Sequence, residues 1–593
     1  MHWSHWWFLE SARYLDLRAH VQGPPAPDGR TVVLRAPLAP SRNIVRDRVL
    51  PRLLDIARTE RSDDMVSSAL VAIGRLTDPS DAELPLAIAA LRARLSAPNM
   101  LVRESALLGL GLLGDPEAAE ILASVLSGDE EALGALGLEV SPARLRAFAA
   151  HALGFSAQRM DDARSRQRVA LALVEALEGD PHRRDDVAVA ALGSLGLVDL
   201  GPRSIIPRED IREREAIGHV LSGRALARYV DGWIDRSVGQ RAGHTVRSRA
   251  FACVAYARIA DDAGEDVRTD AVERLVDVAE DRALHMHVRT SATIGLGEVA
   301  RGGGADADRR AREFLVAGLR GGQPLERRFS RIALASSSIR PGGGDDGLSG
   351  WTKARTALTG ELARARSSDL AWTALALGIL EGGVREAGIE AGPGTTSALS
   401  TMAVRRKSDD DSAALGLGIA LAARGGPRAD AMGNRVADEL DATTSPVMRG
   451  HLAIALGLLE RSESIDLLRD ELAEARNQPI LLWSVAVSLV LLGEPVDDDL
   501  VDALRESNSS AQRIAITAAL GQTGTASAVE PLLALLAEDD RPTPLRASVV
   551  DSLAAICDLD RLPWRDPIAH ALPYFAATPT LNGSGSGLLE RPW

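Results

Sequence analysis

One segment type recurs along almost the whole of this 593-residue chain. A chain that repeats itself every 30 to 45 residues or so builds by stacking copies, because no single copy can bury its own apolar face. The copies are clearest at 99–115 (NMLVRESALLGLGLLGD), 141–155 (SPARLRAFAAHALGF), 285–300 (HMHVRTSATIGLGEVA), 445–460 (SPVMRGHLAIALGLLE) and 509–524 (SSAQRIAITAALGQTG). Most approximate apolar-Arg-x-x-Ala-x-x-x-Leu-Gly. Aligned on the last position, small residues fall at Gly74, Gly111, Gly154, Gly193, Ala257, Gly297, Ala335, Gly378, Gly418, Gly457, Gly521 and Ala554, with Val490 in the remaining slot. Thirteen copies result, at steps of 31 to 43 residues except for one of 64 between Gly193 and Ala257.

Second amphipathic stretches lie between these segments, among them 118–126, 271–279, 464–475 and 528–539, with apolar residues at i, i+3, i+4 and i+7. Each copy is therefore a helix pair. Gly114-Asp115-Pro116, Gly128-Asp129, Gly425-Gly426-Pro427 and Gly493-Glu494-Pro495 stop one helix and start the next. A glycine inside a helix sacrifices about 1 kcal/mol of propensity, so its recurrence at one register implies close approach of a neighbouring helix. The composition agrees: 46% hydrophobic but 3% aromatic, a core of Leu, Ala and Val. The pairs are expected to stack in sequence order.

This pattern resembles HEAT repeats, and the shorter copies after Gly457 are similar to the HEAT-like type named after phycobilisome lyases. The resemblance implies an all-α fold, a right-handed α-solenoid of about thirteen HEAT-like helix pairs. It places the solenoid at 41–560 with an insertion at about 198–243, after a Trp-rich N-terminal cap segment (1–40) and before an extended C-terminal tail (561–593). It also implies that inner-helix arginines hydrogen-bond across repeats, the matching positions being Arg103, Arg146, Arg247, Arg289, Arg449, Arg513 and Arg546. Several copies, for example those around Gly378 and Gly418, lack that arginine, which interrupts the ladder there. Trp3-x-x-Trp6-Trp7 followed by Tyr14-Leu15-x-Leu17 resembles the opening of a group of long bacterial HEAT-repeat proteins of unassigned function, although Glu10 stands where Asn is expected. The closing Leu572-Pro573-Tyr574-Phe575 is similar to their tail.

Several chemistries are disfavoured by the residues. The net charge of −14 argues against nucleic-acid binding. Gly109-Leu-Gly111-Leu-Leu-Gly114 lies within and at the end of a helix, not between a strand and a helix, and neither Lys353 nor Lys407 completes a P-loop. No Cys pair, H-E-x-x-H or repeated His-Glu dipeptide offers a metal site; His2, His5, His151, His285, His287 and His451 read as capping, packing or solvent residues. G-x-S-x-G is absent, and Cys253 and Cys557 fall at helix positions expected to be buried. Asp409-Asp410-Asp411 and Asp497-Asp498-Asp499 read as helix N-terminal carboxylates rather than calcium ligands. No cofactor is expected. The longest nearly apolar run, Ile480 to Leu492, is too short for a bilayer span. The chain as written carries no export signal and reads as soluble and cytoplasmic, although a mature chain whose signal has been removed would read the same.

What remains is recognition. Trp3, Trp6, Trp7 and Tyr14 either cap the first repeat or insert into a partner, and capping is the expectation. The insertion supplies a charged helical stretch over 208–236 with Tyr229 and Trp233 on its later half, either a partner-binding face or a helix packed outside the array. The reading is a non-enzymatic scaffold or adaptor that binds another protein along the solenoid surface; the alternative is a subunit of an enzyme resembling the HEAT-like chromophore lyases.

Overall fold

The computed structural model describes residues 2–15, 17, 39–179, 185–202, 220–235, 244–343, 349–365, 367–389, 394–405, 408–538 and 540–558. The described elements are helices, with no strand among the described residues. In chain order these are α1 (Trp3–Glu10), α2 (Ala12–Leu15), α3 (Leu50–Thr59), α4 (Asp63–Leu76), α5 (Leu84–Ala93), α6 (Met100–Leu113), α7 (Pro116–Ser127), α8 (Glu130–Ala135) and α9 (Ala143–Arg159). There follow α10 (Ala163–Gly179), α11 (Asp185–Leu195), α12 (Gly223–Ile234), α13 (Val246–Asp262), α14 (Glu265–Glu280), α15 (Met286–Val299), α16 (Asp306–Gly318), α17 (Pro324–Ser338) and α18 (Ser349–Leu362). The rest are α19 (Ser367–Glu386), α20 (Gly394–Arg405), α21 (Asp409–Ala423), α22 (Ala429–Ala442), α23 (Pro446–Leu458), α24 (Ile465–Glu474), α25 (Pro479–Leu491), α26 (Asp497–Glu506), α27 (Ser510–Thr523), α28 (Val529–Leu536) and α29 (Thr543–Cys557).

The turn between α6 and α7 shows how the sequence punctuates the pairs. Gly114 closes α6 in the left-handed region at φ 66°, where a side chain would be strained. Asp115 then caps α7 by accepting from the Ala118 N–H at 3.0 Å, and Pro116 occupies the first helical position.

Two compact units emerge. In the first, Thr77–Ala354, the helices that carry the small-residue register, α6, α9, α11, α13, α15 and α17, stack on one another in that order. Each also packs against an outer helix that precedes it in the chain: α5, α7, α10, α12, α14 and α16. The register has the predicted physical basis. A Cβ added at Gly111 would lie 2.3 Å from the Ala152 carbonyl oxygen, and one at Gly154 would lie 2.8 Å from Ser194 Cβ. The 64-residue step contains an ordinary pair, α12 on α13, and stretches 203–219 and 236–243 of the insertion lie outside the described residues.

The second unit combines His2–Leu76 with the described part of Arg355–Arg561. Here α19, α21, α23, α25, α27 and α29 stack in sequence order, and the next helix in the stack is α4, from near the start of the chain. Strict sequence-order stacking is thus corrected for the first pair. The register alone carries no order, since every copy offers the same small-residue face. Specific charges make the choice. Arg75 of α4 donates Nε to Asp558 at 2.8 Å, with both side chains almost wholly buried. Arg546 lies 3.8 Å from Glu60, and Arg48 pairs with Glu530 at 2.9 Å.

Gly457→Val should cost about 1–3 kcal/mol by overpacking, since its Cβ would sit 2.8 Å from Ser488 Cα, whereas Gly134→Ala, with nothing within 4 Å, should be neutral or better. Equal denaturation midpoints for the Gly457 variant and wild type would remove the packing basis of the register. Asp558→Ala should cost about 3–5 kcal/mol by removing the buried counter-ion of Arg75, with much of the loss recovered in Arg75→Met/Asp558→Leu. Denaturant titration of the three proteins checks this.

Candidate recognition surface

The arginine register can be followed helix by helix. Eight positions before the small residue stand Arg103, Arg146, Arg249, Arg289, Arg327, Arg449, Arg513 and Arg546. Most of these side chains turn back towards the end of the preceding outer helix. Arg103 donates to the Ala97 carbonyl; Arg146 reaches Leu126 O at 2.7 Å, Arg249 Ile234 O at 2.8 Å, Arg289 Leu284 O at 2.8 Å, Arg327 Gly322 O at 3.0 Å and Arg513 Ser507 O at 3.4 Å. The cation satisfies carbonyls near a helix C-terminus or its exit turn, where the dipole favours it. These bonds of Arg103, Arg146 and Arg513 lie within their own pair. Arg289 bonds both within its pair and across repeats, since it also binds Glu326 of α17 at 2.6 Å; Arg449 binds Glu471 of α24. Arg247 lies two positions off the register and pairs with Asp186 at 2.8 Å, while Arg249 takes the register role. Arg546 pairs with Glu60 as described above.

In α19 and α21 the register position is Leu370 and Asp410, and this gap is where the N-terminal segment docks. The Trp3 indole Nε1 donates to Asp410 Oδ1 at 2.8 Å, and its ring meets His451 of α23 at 5.0 Å. Trp6 packs on Trp372 of α19 at 5.7 Å. Trp7 stacks on Tyr14 at 5.8 Å, and Arg424, just after α21, donates to the Tyr14 carbonyl at 3.4 Å. The segment therefore reaches both ends of α21. All three indoles are 2% exposed or less. Trp3, Trp6, Trp7 and Glu10 recur at helical spacing on one buried face. His2 caps α1 by accepting from the Ser4 N–H at 3.3 Å through Nδ1, which leaves Nε2 to donate to Asp410 at 3.3 Å.

The aromatic segment is thus packed against its own chain, as expected of a cap, but on repeats around Trp372, Asp410 and His451 and not on the first repeat. These three seat residues were missed by sequence reasoning. The arginine gap at Leu370 and Asp410 was the available signal, but it marked an interruption without naming what fills it.

The other candidates are accounted for more locally. Tyr229 and Trp233 are half-buried on α12, which packs on α13 as an outer helix. Burial raises the Tyr229 hydroxyl, and the Trp233 ring stacks on His244 at 3.9 Å while its carbonyl accepts from His244 Nδ1 at 3.1 Å. His285 caps α15, accepting from the His287 N–H at 3.2 Å. Asp409 accepts from the Thr444 and Ser445 N–H groups at 3.3 Å, and Asp497 from the Thr525 N–H at 2.8 Å. Among the described residues no three His, Cys, Asp or Glu side chains are grouped to hold a metal. Burial pushes the thiols of Cys253 and Cys557 up to about 12. No described helix is long and apolar enough to cross a membrane. Tyr574, Phe575 and the rest of the C-terminal tail lie outside the described residues.

The seat carries a pH signature. Burial under Trp3, with the neighbouring His2 acting in the same direction, lowers His451 from 6.5 to about 4. The folded protein holds this imidazole neutral while the unfolded chain protonates below about 6.5, so its contribution is full above that pH and shrinks as pH falls towards 4. The loss at pH 5 is about 2 kcal/mol. His151, also lowered to about 4 by burial, acts in the same direction. The stability difference between wild type and His451→Asn should therefore narrow or reverse from pH 7 to pH 5; parallel profiles would show that His451 titrates normally.

Residues 102–128 and 512–538 match the PBS lyase HEAT-like repeat family. No curated protein sequence matches the chain. Among solved structures, Kap121p is 14% identical with a TM-score of 0.38, covering 86% of this chain and 53% of its own, so the chain spans about half the length of that protein. Importin beta is 13% identical with a TM-score of 0.37, covering 95% of this chain and 85% of its own. Human deoxyhypusine hydroxylase is 17% identical with a TM-score of 0.22, covering 64% of this chain and 98% of its own. Two of the stacked helix pairs thus match the PBS lyase HEAT-like repeat, and the helix pairs around them stack in the same small-residue register.

Proposed function

We propose that the chain is a non-enzymatic scaffold that binds another protein along the surface of its stacked repeats. One observation carries the reading: α1 and α2 are held against α19, α21 and α23 through indole, imidazole, carboxylate and guanidinium contacts, so the array already accommodates a helix of another register on its inner helices. A surface that holds one amphipathic helix by buried aromatic anchors has the chemistry to hold others. The acidic balance of the chain, −14, favours a partner with a basic or mixed surface through steering, which raises the rate of encounter more than the final affinity.

Cross-linking of the full chain in cells of its source, followed by affinity purification and mass spectrometry, tests the proposal. The expected result is a protein joined to residues of the repeat array, with yield falling as salt is raised from about 0.1 to 1 M because exposed charges are screened. Recovery of the chain alone would overturn it, and stoichiometric conversion of a small substrate by the purified chain would replace it with an enzymatic role.

A further inference from the structure

We propose that the seat formed by α19, α21 and α23 is a binding site for an amphipathic helix of a second protein, one that presents an indole to Asp410 and an aromatic face to Trp372, and that α1–α2 is its built-in competitor. The inference rests on the scaffold reading and gives it a location and a ligand chemistry.

The seat is specialised within the repeats. Trp372 and His451 each stand six positions before the small residue of their own helix, on the two neighbours that flank α21, and Asp410 lies on the helix between them at the position where eight repeats carry arginine. A carboxylate flanked by two aromatic rings accepts an N–H from a flat, amphipathic side chain, and Trp3 supplies one at 2.8 Å. Arg424 at the other end of α21 takes a backbone carbonyl, that of Tyr14. The seat thus reads a helix at both ends, with a donor side chain at one and a backbone carbonyl at the other.

The resident helix is an imperfect ligand. Trp7 Nε1 and His451 Nδ1 are both buried with no hydrogen-bond partner among the described residues, and His451 is 8% exposed. An unpaired buried donor or acceptor weakens a complex more than a made bond strengthens it. A foreign helix that keeps the indole on Asp410 and offers a hydroxyl or carboxamide to His451 therefore fits better than α1. What holds α1 in place is attachment: an intramolecular ligand acts at an effective concentration of about a millimolar. A partner displaces it by tighter fit or through a second contact on the array.

The test uses the full chain and a fluorescein-labelled synthetic peptide of residues 2–17, followed by anisotropy. In Trp3→Ala/Trp6→Ala the resident helix loses its anchors, and the peptide should bind at least tenfold more tightly than to wild type. Adding Asp410→Ala should reverse most of that gain. Trp3→Phe keeps the ring and removes only the donor; it guards against misfolding and should admit the peptide to an intermediate degree, with circular dichroism and thermal midpoints confirming a folded array. Folded variants that ignore the peptide, or binding indifferent to Asp410, would overturn the site. Concentration-dependent dimers of the wild-type chain that Asp410→Ala abolishes would assign the seat to a second copy and overturn the assignment to another protein. Peptide binding with no protein cross-linked to the array would uphold the site and defeat the scaffold reading; a partner cross-linked elsewhere, with no peptide binding, would do the reverse.

Discussion

Where α21 passes α19, a Cβ added to Gly418 would lie 2.5 Å from the Ala374 carbonyl oxygen, and one added to Gly378 would lie 2.9 Å from Gly418 O. Backbones at that separation leave no room for a side chain, so the interface is made by main chain and methyl groups over its closest stretch. That approach brings the flanking Leu, Ala and Val side chains into a dry layer, and residues 411–423 of α21 are buried throughout. Interiors packed this tightly tolerate added volume poorly. The scarcity of aromatic residues follows, because a large ring has no place at the contact.

A layer of small residues is permissive about which helix comes next, and the polar groups remove the ambiguity. Arginines eight positions before the small residue tie many inner helices to the exit turn of their outer partner, fixing the geometry within a pair. Acidic partners such as Glu326 and Asp186 join successive inner helices. In the second unit the buried Arg75–Asp558 pair makes α4 the neighbour of α29. A buried ion pair adds little net stability compared with an apolar contact, but a wrong neighbour would leave one charge without its counter-ion. Its role here is selection.

The same logic explains why the N-terminal helix docks where it does. Several inner helices lack the register arginine, and α21 offers Asp410 in its place. A carboxylate there has no exit-turn carbonyl to bind and needs a donor, which the Trp3 indole provides at 2.8 Å. The departure from the repeat is therefore what makes a site. Many repeats that obey the pattern turn their arginine back to their own exit turn; at α21 the break leaves a carboxylate that binds Trp3 instead.

Helix pairs, their turns and the register of Gly111, Gly154, Gly418 and Gly457 were determined by the sequence alone, because helical periodicity and the steric demand of close packing are written in neighbouring residues. The capping role of His285 was legible for the same reason, being local, whereas Asp409 and Asp497 bind N–H groups of the following pair, at Thr444, Ser445 and Thr525. The role of the arginines was legible only in part: their position was fixed by the repeat, but whether Arg146 reaches across a repeat or back to Leu126 depends on where the outer helix ends. Two things were decided by tertiary structure. One is the placement of α4 on α29, and the other is the seating of Trp3, Trp6 and Trp7 on Trp372, Asp410 and His451. Both join residues hundreds of positions apart through faces that every repeat shares in kind. Periodicity cannot rank equivalent faces; only the particular charges and rings that meet in three dimensions can.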